Sequence, residues 1–157
     1  MQEPSVIHHT FVLERSFPKP PDRVFSAFAD PAKKRRWFAE GERHEIEVYE
    51  SDFRVGGTEH LRYRFKEGTP FPGTALINEA RFQDIVPNRR IVSASTMDLA
   101  DKRISASLVT FEFLRTDTGT DLIFTHQGTF FEGSGDPQMR EAGWRKLLDN
   151  LAMEVAR

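Results

Sequence analysis

Residues 52–65 read DFRVGGTEHLRYRF, and this stretch decides the fold. After the pair of glycines, apolar and polar residues alternate strictly: Leu61, Tyr63 and Phe65 against His60, Arg62 and Arg64. A period of two is typical of a strand in an antiparallel sheet that has one covered face and one wet face. Another element must therefore cover the apolar face. We also expect Gly56 and Gly57 to let the sheet bend, because glycine tolerates positive φ and close backbone approach.

Further strands are predicted on both sides of this stretch. The first covers residues 9–17, and the others cover residues 44–50, 58–65, 73–86, 89–97, 103–114 and 120–131. Short polar turns separate the last six strands, which is typical of an antiparallel meander. Prolines and an Asp N-cap predict two short helices after the first strand, in KPPDRVFSAF and DPAKKRRWF.

The last pattern in the chain is helical. Asp136 is a candidate N-cap, and Pro137 follows it at a position where a missing N–H costs nothing. Apolar residues then recur at spacings of three and four: Trp144, Leu147, Leu148, Leu151 and Val155. A helix of about 20 residues spans about 30 Å, as does a strand of nine or ten residues. This helix can therefore cover the apolar face of the whole sheet.

Composition restricts the classes of function. A chain of 157 residues predicts a single domain over residues 1–157, in which we expect residues 1–8 to be flexible. The net charge of −2 gives no general attraction to nucleic acid or to a membrane. Cysteine is absent, and neither a secretory leader nor a long apolar run occurs, so we expect a cytoplasmic protein. The basic run at residues 33–36 is interpreted as a solvated helix end.

Six segments in this order resemble the START-like (SRPBCC) superfamily with its helix-grip fold. They are residues 17–38, the DFRVGG stretch at 52–57, the VPNRRIV corner at 86–92, VTFEF at 109–113, TDLIFTHQGTF at 120–130 and GWRKLLDNL at 143–151. Within the superfamily, the chain is most similar to the bacterial family related to the activator of the ninety-kilodalton heat-shock protein ATPase. The resemblance implies an α+β fold: a curved seven-stranded antiparallel sheet that wraps a long C-terminal helix, with two short helices after the first strand.

The resemblance also implies a cavity between the sheet and the long helix that takes a small, largely apolar molecule. The residues that we expect to contact such a ligand are Trp37, Phe38, Leu61, Tyr63, Phe65, Phe111, Phe124, His126, Trp144 and Leu148. Trp37 and Phe38 are expected at the opening, since the second short helix borders it in similar proteins. No cofactor is implied.

Several polar residues have two interpretations each. His126 shares a strand face with Leu122 and Phe124, so it is either a core histidine or a group that fixes a ligand. Glu59 shares a face with Leu61 and Tyr63 but is expected to reach water at the strand end. The orientation of Glu79 stays open.

Two further features concern metals and the long helix. Adjacent His8 and His9 point to opposite sides of an extended chain, which argues against a metal site. Gly143 stands inside the last helix at a cost, and it either permits close packing or leaves room for a ligand.

Three functions are compatible with this sequence. Noncovalent binding of a lipid, polyketide or aromatic metabolite is the first hypothesis. The second is a co-chaperone that binds a chaperone through a protein surface. The third is a cyclase or hydrolase that uses His126, a tyrosine such as Tyr63 and a carboxylate, although no ordinary catalytic motif is present and we favour a protein without catalysis. Either a monomer or a homodimer is compatible with the sequence.

Overall fold

The computed structural model describes residues 2–157 as an α+β helix-grip fold. In chain order the elements are β1 (Ile7–Phe17), α1 (Pro21–Ala29), α2 (Pro31–Lys34), a π-helical segment (Arg35–Ala39), β2 (His44–Ser51), β3 (Thr58–Phe65), β4 (Ala75–Val86), β5 (Arg90–Leu99), β6 (Lys102–Arg115), β7 (Thr120–Phe130) and α3 (Pro137–Val155). The seven strands form one antiparallel sheet in the order β1-β7-β6-β5-β4-β3-β2. The predicted fold class and the predicted meander from β2 to β7 are confirmed.

The helices begin where the sequence predicts. The Asp30 carboxylate accepts a hydrogen bond from the Ala32 N–H at 2.9 Å, and the Asp136 carboxylate accepts one from the Gln138 N–H at 3.0 Å. A proline occupies the first turn of each helix, where its missing N–H costs nothing. α2 then widens into the π-helical segment, in which the Glu40 N–H bonds the Arg35 carbonyl.

The curvature of the sheet comes from irregular pairing and not from the glycine pair. Register shifts lie between Ile46 and Val48, between Phe82 and Asp84, and between Met97 and Asp98. Such bulges bend a strand and increase its twist. The prediction that Gly56 and Gly57 form the bend is wrong, because they close the turn between β2 and β3.

The β2–β3 turn nevertheless requires its glycines. Gly56 has a φ of 83°, a conformation that other residues rarely adopt. A Cβ on Gly57 would collide with the Asp52 carbonyl oxygen. The Gly56 N–H and the Gly57 carbonyl both hydrogen-bond Phe82, so the turn extends the pairing of β3 with β4.

β1 begins two residues before the predicted start. Ile7 and His8, which the sequence assigned to a flexible segment, pair with Phe130 and Thr129 of β7. The register with β7 continues to Phe17. β1 thus pairs with the last strand of the meander and forms one edge of the sheet.

The basic run at residues 33–36 is not a solvated helix end. Lys34 is 6% exposed, and its Nζ lies 3.1 Å from a carboxylate oxygen of Glu59. Arg36 donates two hydrogen bonds of 2.8 Å to the carboxylate of Glu154 near the end of α3. Lys33 donates to the Ser26 hydroxyl. The run therefore fastens the short helices to the sheet and to α3.

Candidate functional site: a cavity beneath the C-terminal helix

A cavity forms because α3 packs tightly along only half of its length. Its buried residues are Leu148, Leu151, Glu154 and Val155, which all lie in the second half. The first half, around Arg140 and Trp144, is only partly buried. Between this half and strands β3 to β5 lies a cavity of about 580 Å³, which is within the usual range for small-molecule sites.

The wall of this cavity is mainly apolar. The strands supply the side chains Leu61, Tyr63, Phe65, Leu76, Asn78, Met97, Leu99, Ile104 and Phe130. The mouth is bordered by residues 40–43, by residues 69–71 and by residues 133–136. Phe71 and Met139 line it while remaining 46% and 64% exposed. Large exposed apolar side chains at an opening give an apolar ligand a favourable surface to enter over.

The structure brings five of the ten predicted ligand-contact residues together at the cavity. These are Phe38, Leu61, Tyr63, Phe65 and Trp144. The other five, Trp37, Phe111, Phe124, His126 and Leu148, are outside the cavity wall and belong to the packed interior. Aromatic packing joins the two groups, since the ring centroids of Trp144 and Phe124 lie 4.5 Å apart and those of Phe38 and Trp37 lie 5.7 Å apart.

Arg140 is the charged group at the inner end of the cavity. Its Nη2 donates a hydrogen bond of 2.8 Å to the hydroxyl of Ser105, which is 1% exposed. Its guanidinium carbon lies 5.1 Å from the centre of the Phe130 ring. Burial lowers the pKa of Arg140 to about 10, so the side chain is still charged at neutral pH. Within residues 2–157, no carboxylate forms an ion pair with it.

Sequence reasoning missed Arg140, although a signal was present. Arg140 lies four residues before Trp144 and eight before Leu148, so the helical period places it on the apolar stripe of α3. A single cation within such a stripe must either reach water or find a partner. The helical pattern thus indicated that Arg140 is a cation on a buried face, but it did not indicate that Ser105 is its hydrogen-bond partner.

Tyr63 lies across the cavity from α3, and the charge of Arg140 influences its pKa. Burial raises the pKa of Tyr63 to about 12, and the positive charge of Arg140 acts in the opposite direction. Its ring stacks on His44 with centroids 3.8 Å apart. Tyr63 is therefore a neutral phenol at neutral pH and presents an O–H group in place of a base.

His126 faces the covered side of the sheet, as the strand parity predicts, and is 1% exposed. Its ring stacks on Phe11 with centroids 4.8 Å apart. Burial, together with the charge of Arg140, lowers the pKa of His126 to about 4. It is thus a neutral core histidine that lies behind the cavity wall.

Three buried polar atoms next to this histidine have no hydrogen-bond partner in the described chain. They are Nδ1 of His126, Nε2 of His9 and Oγ of Ser107. His9 and Ser107 flank Gly128 in the register of the sheet. A Cβ on Gly128 would lie 2.5 Å from the Phe130 ring, so glycine is required here for that ring to pack.

Glu59 does not reach water, contrary to the expectation from its place at the strand end. Its side chain is 8% exposed, and its carboxylate binds both the Lys34 ammonium and the Tyr49 hydroxyl, the latter at 2.8 Å. Lys34 also lies 4.5 Å from the centre of the Phe38 ring. Glu79, whose orientation the sequence left open, is exposed on the outer face and lies 3.1 Å from His60. Neither carboxylate faces the cavity beneath α3.

Gly143 borders the cavity, and a Cβ there would meet no atom within 4 Å. The interpretation that this glycine permits close packing is therefore wrong. Open space adjoins it instead.

The described residues give no sign of a metal site or of a membrane span. Across residues 2–157, no three His, Cys, Asp or Glu side chains are grouped so that they could hold a metal ion. Within the same residues, no helix combines the length and the apolar character needed to cross a bilayer.

The curved sheet, the C-terminal helix and the space between them define the class: this is an α+β helix-grip protein. The family described as Activator of Hsp90 ATPase homolog 1-like protein matches residues 18–156, and the chain belongs to this family. The resemblance predicted from the sequence is confirmed.

Solved structures agree with this assignment. An uncharacterised protein from Rhizobium leguminosarum is 39% identical, with 98% of this chain and 97% of that chain covered and a TM-score of 0.90. A protein from Rhizobium loti is 47% identical, with 96% and 99% covered and a TM-score of 0.82. An AHSA1-like protein from Aeromonas hydrophila is 22% identical over 94% of this chain and 92% of that chain, with a TM-score of 0.68, and shares the fold. No curated protein sequence matches this chain.

Proposed function

We propose that the protein binds a small, largely apolar molecule in the cavity beneath α3. The observation that carries the proposal is an open volume of about 580 Å³ with a mainly aliphatic and aromatic wall. Transfer of apolar surface from water into such a site is favourable by about 25 cal/mol per Å². The apolar mouth at Phe71 and Met139 supports the same function.

The geometry favours binding over the enzymatic alternative. That alternative needed His126, a tyrosine and a carboxylate to converge on one substrate. Tyr63 lines the cavity, whereas His126 lies behind its wall and Glu59 is engaged by Lys34. Two donors that line the cavity, Arg140 and Tyr63, keep their protons at neutral pH and can hold a ligand in place without exchanging protons with it.

A cavity-filling variant tests the proposal. The neutral fluorophore N-phenyl-1-naphthylamine is titrated into the wild-type protein and into Met97→Trp, which places a larger side chain in the cavity. The matched control is Leu108→Trp, the same type of change at an exposed residue on the outer face of the neighbouring strand.

We expect binding to the wild type and to the control, with at least about tenfold weaker binding to Met97→Trp, a change of about 1.4 kcal/mol. Circular dichroism confirms that each variant is folded. Equal affinity of all three proteins, or no binding to the wild type, would contradict the proposal.

A further inference from the structure

Arg140 is a cation with unused hydrogen-bonding capacity in an apolar setting. A guanidinium has five N–H donors in a planar fork. One of them is used by Ser105, and the described residues supply no other acceptor. The ring of Phe130, at 5.1 Å, contacts the guanidinium but cannot neutralise its charge. A charge removed from water without a counterion costs free energy, so this arrangement favours an anionic ligand.

The acidic residues around the cavity are engaged elsewhere or lie at the mouth. Asp136 is one helical turn before Arg140, but its carboxylate caps α3 through the Gln138 N–H. The Glu40 carboxylate lies 3.6 Å from Arg35. Glu42 belongs to the exposed border of the opening. The inner end is therefore positive, although the chain as a whole has a net charge of −2.

We infer that the ligand is an amphiphilic carboxylic acid, whose carboxylate binds Arg140 while its apolar part lies along strands β3 to β5. This inference rests on the proposed function and specifies the chemical class of the ligand.

Two features of the site match a carboxylate. Its planar pair of oxygens fits the guanidinium fork in a bidentate arrangement. One arginine balances a single negative charge, whereas a phosphate dianion would need further cations. The other two cations that line the cavity, Arg43 and Lys146, are exposed to water and do not share the partly buried position of Arg140. The phenol of Tyr63, on the opposite strand wall, is a second donor that faces the same cavity. Beyond these groups, the wall offers Leu61, Leu76 and Met97 to the apolar chain.

A pair of ligands that differ only in the head group tests the inference. Decanoate and 1-decanol are titrated by isothermal calorimetry at neutral pH into the wild type, Arg140→Met and Arg145→Met. Arg145 lies on the same helix and is exposed, and it is paired with Glu141 at 2.9 Å outside the cavity, so it is the matched control for loss of one positive charge.

We expect the wild type and Arg145→Met to bind decanoate at least about tenfold more tightly than 1-decanol, which corresponds to about 1.4 kcal/mol. Arg140→Met should bind both ligands with the same affinity. If Arg140→Met does not fold, Arg140→Gln, which keeps an N–H donor for Ser105, replaces it.

The neutral ligand separates this inference from the proposed function. If the wild type binds 1-decanol and decanoate equally, or if the preference for decanoate persists without Arg140, the carboxylate assignment is wrong and the cavity function stands. If neither ligand binds to the wild type, both are wrong. Loss of the preference in Arg145→Met would also overturn the assignment, because general charge would then explain it.

Discussion

At the scale of single residues, the buried pair of Lys34 and Glu59 is the most sensitive point of the fold. Both side chains are 8% exposed, and Tyr49 adds a hydrogen bond to the carboxylate. Removal of one partner leaves the other charge buried and uncompensated. We expect Lys34→Met to lower the free energy of unfolding by about 3–5 kcal/mol, measured by urea denaturation.

The double variant Lys34→Met/Glu59→Gln should recover much of this loss, because the glutamine amide still accepts a hydrogen bond from Tyr49 and carries no charge. The control is Arg54→Met, which breaks the exposed pair with Asp52 and should cost less than about 1 kcal/mol. A loss in Lys34→Met as small as that of the control would show that the pair contributes little.

The same scale shows what strand parity can and cannot predict. Parity placed His126 and Glu59 on the covered face, and both are buried there. It could not supply the partner of Glu59, because Lys34 approaches from a helix that is 25 residues away in the sequence. Burial of a charge depends on such distant contacts, which a local pattern does not contain.

At the scale of elements, the long helix contains a glycine that packing does not require. Gly143 is exposed, and a Cβ there meets open space. Glycine inside a helix costs about 0.5–1 kcal/mol relative to alanine. We therefore expect Gly143→Ala to raise the free energy of unfolding by about that amount. Ala142→Gly, at the exposed neighbouring position, is the matched reverse change and should lower it.

A loss of stability in Gly143→Ala would mean that the helix backbone is approached closely at this point. The probe N-phenyl-1-naphthylamine adds a second readout, since Gly143 borders the cavity. A gain in stability together with weaker probe binding would identify the missing side chain as space for the ligand.

The bounds of the elements were largely predictable, because caps, prolines and alternation are local signals. The predicted strand at residues 58–65 is β3 as observed, and the Asp136 cap begins α3 as expected. The bulges and the π-helical segment were not predictable. Two of the bulges lie in β4 and β5, where these strands curve. The π-helical segment contains Arg36, which bonds Glu154 on α3.

At the scale of the whole molecule, the meander from β2 to β7 followed from short turns, but the cavity did not. The volume of the cavity depends on the distance between the first half of α3 and the sheet, and helical periodicity does not predict that distance. The same apolar stripe on α3 would be expected whether side chains fill the space beneath the helix or leave a cavity there. Five of the expected contact residues therefore lie at the cavity and five lie within the core.

The stability of the whole molecule depends on pH, and His126 makes a contribution to this dependence whose sign and size can be predicted. Burial holds its pKa at about 4 in the folded protein, against an ordinary value of 6.5. Between these values the unfolded chain binds a proton that the folded protein does not, so stability increases with pH across this range. As pH falls from about 6.5 to about 4, His126 should therefore remove about 3 kcal/mol of folding free energy.

Urea denaturation at a series of pH values, for the wild type and for His126→Phe, measures this contribution. Phenylalanine keeps a ring against Phe11 and cannot bind the proton, so the variant should lose stability less steeply on acidification. His8→Phe, at an exposed position of β1, controls for the loss of one imidazole. Glu154, whose pKa the hydrogen bond from Arg36 lowers from an ordinary value of 4.5, contributes in the same direction as pH falls below about 4.5, so it overlaps only the acidic end of the range of the histidine. Parallel pH profiles of the wild type and His126→Phe above about pH 5 would show that His126 is not buried in its neutral form.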